Sequence, residues 1–285
     1  MSASSPTPRS PRVVASSDGV HVVVHDLGGE GPTVLLSHAT GFHGRCYLPM
    51  AHRLADRYHS VAFDYRGHGD TPMPAGVPID WHRYGDDAFA VASSLDGPVH
   101  AFGHSMGGAC LLMAAHRNPD LFDRLVLFEP IVFPGDAVRD SAAQSPLVAG
   151  ARRRRSTFAG FDEAYANFAS KPPLDAFTPE ALDAYVRFGF RLGEDGQVHL
   201  RCAPETEAQT FEQGAFHDSW KLLPEIEIPV LVVAGSVDET RPSQIAASIA
   251  EQLPRGEYRE LPEYDHFAPM THPAEMADLA AAFFG

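Results

Sequence analysis

The sequence predicts an α/β fold: a mostly parallel central sheet flanked by helices and broken by one long, mainly helical insertion. Three observations carry this expectation. Short continuous apolar runs alternate with amphipathic helical stretches from Thr33 onward. The alternation stops between about Pro134 and Pro224 and resumes at Pro229. A Gly-x-Ser-x-Gly string stands where one apolar run gives way to the helix after it.

The elements follow in order. Val13-Val14-Ala15 and Val20 to His25 flank Ser17-Asp18-Gly19, as the strands of a hairpin flank their turn. Six runs read as strands buried on both faces: Thr33 to Ser37, Ser60 to Asp64, Val99 to Gly103, Arg124 to Phe128, Pro229 to Ala234 and Tyr258 to Leu261. Between them Tyr47, Ala51, Leu54 and Tyr58 fall at helical spacing, as do Tyr84, Ala88, Val91 and Leu95. Ile245, Ile249 and Leu253 repeat the pattern, followed by Met276, Leu279, Ala280 and Phe283. In the insertion, Thr178-Pro179-Glu180 has a capping hydroxyl, Pro at the first helical position and an acid in the first turn. Val198 to Cys202 reads as a short extended piece. The expected organisation is a disordered arm over 1–12, a core formed by 13–133 and 225–285, and the insertion over 134–224.

A chain of 285 residues with 44% apolar content can bury a sizeable core. Its net charge of -15 argues against nucleic acid and anionic membrane surfaces as partners. No apolar stretch is long enough to span a bilayer, and the first dozen residues lack the apolar centre of a signal peptide. Three widely spaced cysteines form neither a disulfide framework nor a zinc site. These features predict a cytoplasmic protein, monomeric or homodimeric.

Gly103-His104-Ser105-Met106-Gly107 follows an apolar run and precedes a helix-compatible stretch, the strand-turn-helix setting of a nucleophile elbow. The alternative is a glycine-rich turn with a capping serine. A serine needs a base at neutral pH. Of fifteen histidines, His266 stands out, between the last strand candidate and the last helix. The orienting acid is expected at Asp238, which follows a buried strand and turn and preserves the chain order Ser, Asp, His. Glu129, at the end of the preceding strand, is the rival. One oxyanion donor should be the N–H of Met106 and the other an N–H of His38-Ala39-Thr40-Gly41-Phe42-His43-Gly44. Thr40 is the choice and Phe42 the alternative. Phe42 and His104 are also expected to line the substrate pocket. The paired histidines of this loop lack a third metal ligand at usual spacing, so no metal is expected.

Together these residues resemble the serine α/β-hydrolase family over nearly the whole chain, from about Val13 to Phe284. The markers are Ser37 to Phe42, Asp64-Tyr65-Arg66-Gly67-His68-Gly69, Gly103 to Gly108, Gly235-Ser236-Val237-Asp238 and Asp265-His266. The chain departs from the family's usual His-Gly in the oxyanion loop, because Ala39 and Thr40 separate His38 from Gly41. The resemblance implies an α/β-hydrolase fold with a helical cap after the sixth strand. Family members with an aspartate nucleophile are epoxide hydrolases and haloalkane dehalogenases, and Ser105 disfavours both activities here.

The run Arg152 to Arg155 reads as a solvated helix face paired with acids, or as a device that steers an anionic substrate. Phe158, Phe161, Tyr165, Phe168, Tyr185, Phe188, Phe190 and Trp220 are expected mostly to form the insertion's own core, with a few lining an apolar pocket. The expected activity is hydrolysis of a small or medium apolar ester, lactone or thioester, with no cofactor. C–C bond hydrolysis, perhydrolysis, acyl transfer and slow receptor-like hydrolysis use the same residues.

Overall fold

A computed structural model describes residues 11–135, 145–237 and 242–285. The expected disordered arm lies outside them except for residues 11 and 12, and Arg12 already opens the first strand. That strand, β1 (Arg12–Ala15), pairs antiparallel with β2 (His21–Gly28) across a turn in which Asp18 and Gly19 both take positive φ. The hairpin expected from Ser17-Asp18-Gly19 is therefore present.

Six further strands complete the main sheet: β3 (Thr33–Ser37), β4 (His59–Asp64), β5 (Val99–His104), β6 (Phe122–Phe128), β10 (Val230–Ala234) and β11 (Gly256–Glu260). Their spatial order is β1-β2-β4-β3-β5-β6-β10-β11. β2 runs antiparallel to β4, and every pairing from β4 to β11 is parallel. After β3 the chain adds β4 on one side and β5 on the other. In an open α/β sheet, ligands bind outside the carboxyl ends of the strands at such a reversal.

Helices cover both faces. On one side lie α2 (Trp81–Ser93), α3 (Met106–Arg117) and α9 (Ser243–Gln252), packed on Leu35, Ala101, Leu125 and Val232. On the other lie α1 (Leu48–Leu54) and α10 (Pro273–Phe284), packed on Val34, Leu36, Phe102, Val126 and Val233. Consecutive strand residues feed opposite cores, which explains why these runs are apolar throughout.

One strand departs from expectation. β11 is an edge strand with four of its five residues exposed, not a strand buried on both faces. Glu257, Arg259 and Glu260 place charge along that edge, where an apolar strand would invite pairing with another chain.

Between β6 and β10 stand α4 (Pro146–Arg152), α5 (Phe161–Ala169), α6 (Pro179–Gly189), α7 (Pro204–Gln213) and the short α8 (Ser219–Leu222). Thr178 caps α6 by accepting a hydrogen bond from Ala181 N at 3.2 Å. This segment is not purely helical. β7 (Thr157–Phe158), β8 (Phe190–Leu192) and β9 (Val198–Leu200) form an antiparallel sheet in the order β7-β9-β8. The extended piece expected at Val198 is its central strand. No helix among the described residues is long and apolar enough to cross a membrane.

Candidate active site

Ser105 sits directly after β5 with φ 56° and ψ -116°, and α3 begins at the next residue. This backbone conformation is strained for any side chain. It is held by Ser105 N donating to Phe128 O at 3.0 Å and by Ile131 N donating to Ser105 O at 3.2 Å. The neighbouring glycines have steric reasons. A Cβ at Gly103 would lie 2.7 Å from Gly108 Cα, one at Gly108 would lie 2.8 Å from Pro130 Cβ, and one at Gly107 would collide with Ser37 O. The strand-to-helix crossing closes only without these side chains.

The loop after β3 lies against this elbow. Ser37 Oγ donates to Gly107 O at 3.1 Å and accepts from Tyr65 Oη at 2.7 Å. Phe42 N donates to Ala39 O at 3.2 Å across a turn whose third residue, Gly41, has φ 78°. The Thr40 side chain reaches Met106, with Oγ1 3.5 Å from Sδ. The two expected oxyanion donors thus belong to residues in contact. His38 braces the loop: Tyr65 N donates to Nε2 at 3.0 Å, which leaves Nδ1–H to donate to Ala39 O at 2.8 Å. Burial first, then the charge of His68, lowers its pKa to about 3, so His38 is neutral.

His266 follows β11 across the sheet. Its Nδ1 lies 2.5 Å from Glu129 Oε2. Glu129 is fully buried directly after β6, with φ 44°. Its second oxygen, Oε1, accepts from Gly235 N at 2.8 Å, and its own N donates to Val233 O at 2.9 Å. Asp238 lies outside the described residues. Among those described, the carboxylate on His266 Nδ1 is that of Glu129, the rival in the sequence. Ser105, the Thr40 loop, Glu129 and His266 all stand at the carboxyl ends of β5, β3, β6 and β11.

His104 has a different place from the one expected. It is fully buried, with its ring 4.9 Å from that of His266. Its Nε2 lies 2.8 Å from His266 O and its Nδ1 2.8 Å from Tyr47 Oη. A carbonyl only accepts, so Nε2 carries the proton and Tyr47 donates to Nδ1. Burial, then the neighbouring His266, holds the His104 pKa well below the usual histidine value. Both ring nitrogens are engaged within the protein, and Nε2 ties His104 to the His266 backbone.

Phe42 is buried between core and insertion. Its ring lies 6.1 Å from Phe177, 5.5 Å from Tyr185 and 6.4 Å from Phe267. These four rings form one aromatic cluster, which adjoins the histidine through Phe267, its ring 5.7 Å from that of His266. Phe177 and Phe267 were not singled out from the sequence, although Phe267 directly follows His266. Tyr47 was missed too, because it reads simply as an apolar position on helical spacing.

One group of side chains, His25, Asp64 and Asp70, has potential metal-ligand atoms within 4.8 Å of one another. Hydrogen-bond donors engage both carboxylates. Asp64 accepts from His25 Nε2, Gly44 N and Asp70 N, and Asp70 pairs with Arg201 at 2.6 Å. Burial would raise the Asp64 pKa, but the hydrogen bond and charge of His25 outweigh it and hold the group well below the usual carboxylate range. The basic run is also paired: Arg152 with Glu205 and Glu212, Arg154 with Glu207, and Arg155 with Glu163.

The family model of the alpha/beta hydrolase family matches residues 34–279. A putative carbamate hydrolase, RutD, of Agrobacterium fabrum is 29% identical over 89% of this chain and 94% of its own. Lipase LipV of Mycobacterium tuberculosis is 36% identical over 61% of this chain and 68% of its own. Among solved structures, E-2-(acetamidomethylene)succinate hydrolase superposes with a TM-score of 0.80 at 23% identity, over 96% of this chain and 98% of that one.

Proposed function

The chain belongs to the alpha/beta hydrolase family, and from that premise we propose that it is a serine hydrolase cleaving a small or medium apolar ester, lactone or thioester. Ser105 is the nucleophile, His266 the general base and Glu129, in place of Asp238, the acid that orients the histidine. The observation that carries this reading is the 2.5 Å contact between Glu129 Oε2 and His266 Nδ1, beside a serine held at φ 56°. With Nδ1 bonded to a carboxylate, Nε2 is the nitrogen left to take the serine proton.

Ser105 Oγ attacks the substrate carbonyl as its proton passes to His266 Nε2. The buried carboxylate of Glu129 stabilises the imidazolium that forms. The carbonyl oxygen, now anionic, is received by the N–H groups of Met106 and Thr40, with the N-terminal end of α3 adding its dipole. The imidazolium returns its proton to the departing oxygen or sulfur. Water then attacks the acyl-serine with His266 again as base, and the acid leaves. The aromatic cluster of Phe42, Phe177, Tyr185 and Phe267, next to His266, favours an apolar acyl group, and the segment between β6 and β10 acts as a cap. Relatives named as a carbamate hydrolase and a lipase support acyl cleavage. Three cysteines, all free and buried, support a reducing cytoplasmic setting.

A fluorophosphonate probe and a p-nitrophenyl ester series test the assignment. The tryptic peptide holding Ser105 becomes labelled, and Ser105→Ala loses both labelling and turnover. Undiminished turnover by Ser105→Ala overturns it. A single stoichiometric burst with no further turnover supports a receptor-like hydrolase instead.

A further inference from the structure

The insertion brings a charged pair against the oxyanion turn. Arg154 Nη1 lies 2.7 Å from Glu207 Oε2, and the two side chains are 16% and 10% exposed. Arg154 follows α4 in the chain, and Glu207 stands in the first turn of α7. The guanidinium carbon lies 5.6 Å from the ring centre of Phe168 and 5.5 Å from that of Tyr185. The other carboxylate oxygen, Oε1, packs on Gly41. A Cβ added at Gly41 would collide with it and would lie 2.9 Å from Glu207 Cδ. Gly41 is the residue after Thr40 and the one whose φ of 78° makes the turn.

A carboxylate is an unexpected neighbour for this turn. Negative charge develops on the substrate oxygen in the transition state, and a bare anion nearby in a water-poor site opposes it. The guanidinium of Arg154 cancels that charge while leaving the carboxylate free to pack on Gly41. We propose that the Arg154–Glu207 pair is a charge-matched clamp that holds the Thr40–Gly41 turn in its oxyanion-binding conformation. Glu207 holds the turn by contact and Arg154 neutralises Glu207. Both are positioning residues, neither touching the reacting atoms. The inference rests on the proposed role of Ser105 and of the Thr40 N–H. It assigns one member of the basic run to the site and leaves Arg152 and Arg155 as surface pairs.

The clamp has an asymmetric signature. Glu207→Gln keeps the shape that packs on Gly41 and drops the charge. Arg154→Met keeps most of the apolar stem and leaves the carboxylate bare. Turnover of p-nitrophenyl butyrate is measured at pH 8 for both variants, their double mutant and Arg154→Lys. Each is held well below its own melting temperature. Inhibition by butylboronic acid, which forms a tetrahedral anion on a catalytic serine, is measured in parallel.

Arg154→Met lowers kcat roughly ten- to a hundredfold, with KM moved less than about threefold. Boronate affinity falls by about the same factor as kcat. Glu207→Gln costs only about three- to fivefold, and adding it to Arg154→Met recovers kcat to about its own level. Arg154→Lys restores most of the rate by restoring the charge. Equal losses in the two single variants, a double mutant worse than Arg154→Met, or unchanged boronate affinity overturns the clamp. If Ser105 labels normally and all four variants turn over alike, only the clamp falls. If Ser105→Ala retains turnover, the reading beneath it falls as well.

Discussion

Glu129 and Ser105 share an unusual backbone. Among the described residues only Asp18, Ser105 and Glu129 combine a side chain with positive φ. Two of these three are proposed catalytic residues, each placed directly after its strand. Such strain, about 1–3 kcal/mol per residue, persists only where surroundings over-determine it. At Glu129 they do, through Gly235 N, Val233 O and His266. The prediction at this scale concerns the acid. Glu129→Gln presents an amide to His266 Nδ1, disturbs its tautomer and loses stabilisation of the imidazolium. It lowers kcat by about 10³ to 10⁴. Asp238→Asn costs less than about tenfold by comparison. Turnover of a p-nitrophenyl ester, compared at matched thermal stability, checks this, and a dead Asp238→Asn with an active Glu129→Gln reverses the assignment. Ser105 and His266, the proposed nucleophile and base, could be singled out because an elbow string and a histidine before the last helix are local signals. The acid was ambiguous for a physical reason: β6 and β10 are adjacent and parallel. Each candidate acid follows one of these two strands in the chain, so strand order alone does not separate them. The bonding of His104 was not legible, because the polarity of a ring beside Ser105 does not reveal that both its nitrogens are already bonded.

Elements are tied together by a buried charge pair, of which only Arg66 stands in a family marker of the sequence. Arg66, in the loop after β4, is 1% exposed, and Asp87, in α2, is fully buried. Arg66 Nε donates to Asp87 Oδ2 at 2.9 Å and Nη2 donates to Oδ1 at 2.7 Å. Nη1 reaches Asp18 at 3.0 Å, and Asp87 also accepts from Ser16 Oγ. The pair therefore joins the β1–β2 turn, the β4 loop and α2. Asp87→Ala strands a buried guanidinium and costs about 3–5 kcal/mol. Asp18→Ala removes a partner whose side chain is 26% exposed and costs under about 1 kcal/mol. Urea unfolding with a shared m-value measures both, and equal losses would show that Arg66 is not held chiefly by Asp87. The principal strands were readable because each run feeds two cores. The small sheet of the insertion was not, because strands of two or three residues are too short to show a period of two. β11 was misread because parallel pairing on one side leaves its other edge to solvent, a position that only the sheet order reveals.

At the scale of the whole molecule, burial of neutral histidines ties folding to pH. Burial is the first cause lowering the pKa of His38 to about 3, of His43 to about 4 and of His217 to about 4. It also holds His104 well below the usual value. In the unfolded chain each returns to about 6.5. Between those values the unfolded chain binds protons that the folded chain refuses. Stability is therefore fully present above about pH 6.5 and is lost as pH falls toward 4. Each such group contributes a slope of about 1.4 kcal/mol per pH unit once its unfolded form is protonated, so the four together give roughly 5 kcal/mol per unit. A domain stability of about 5–15 kcal/mol is then exhausted within a few units. The depressed carboxyl of Asp64 acts in the same direction but only at lower pH, where its unfolded form begins to protonate. Urea unfolding between pH 7.5 and 5 should show a net proton uptake on unfolding that grows as pH falls below about 6.5, to which these four histidines each contribute about one. His38→Gln and His43→Gln, tested singly, should each reduce that uptake by about one while changing the absolute stability by unrelated amounts. An unfolding free energy that stays level from pH 7 to pH 5 would mean that these rings are charged in the native core, contrary to the burial that surrounds them.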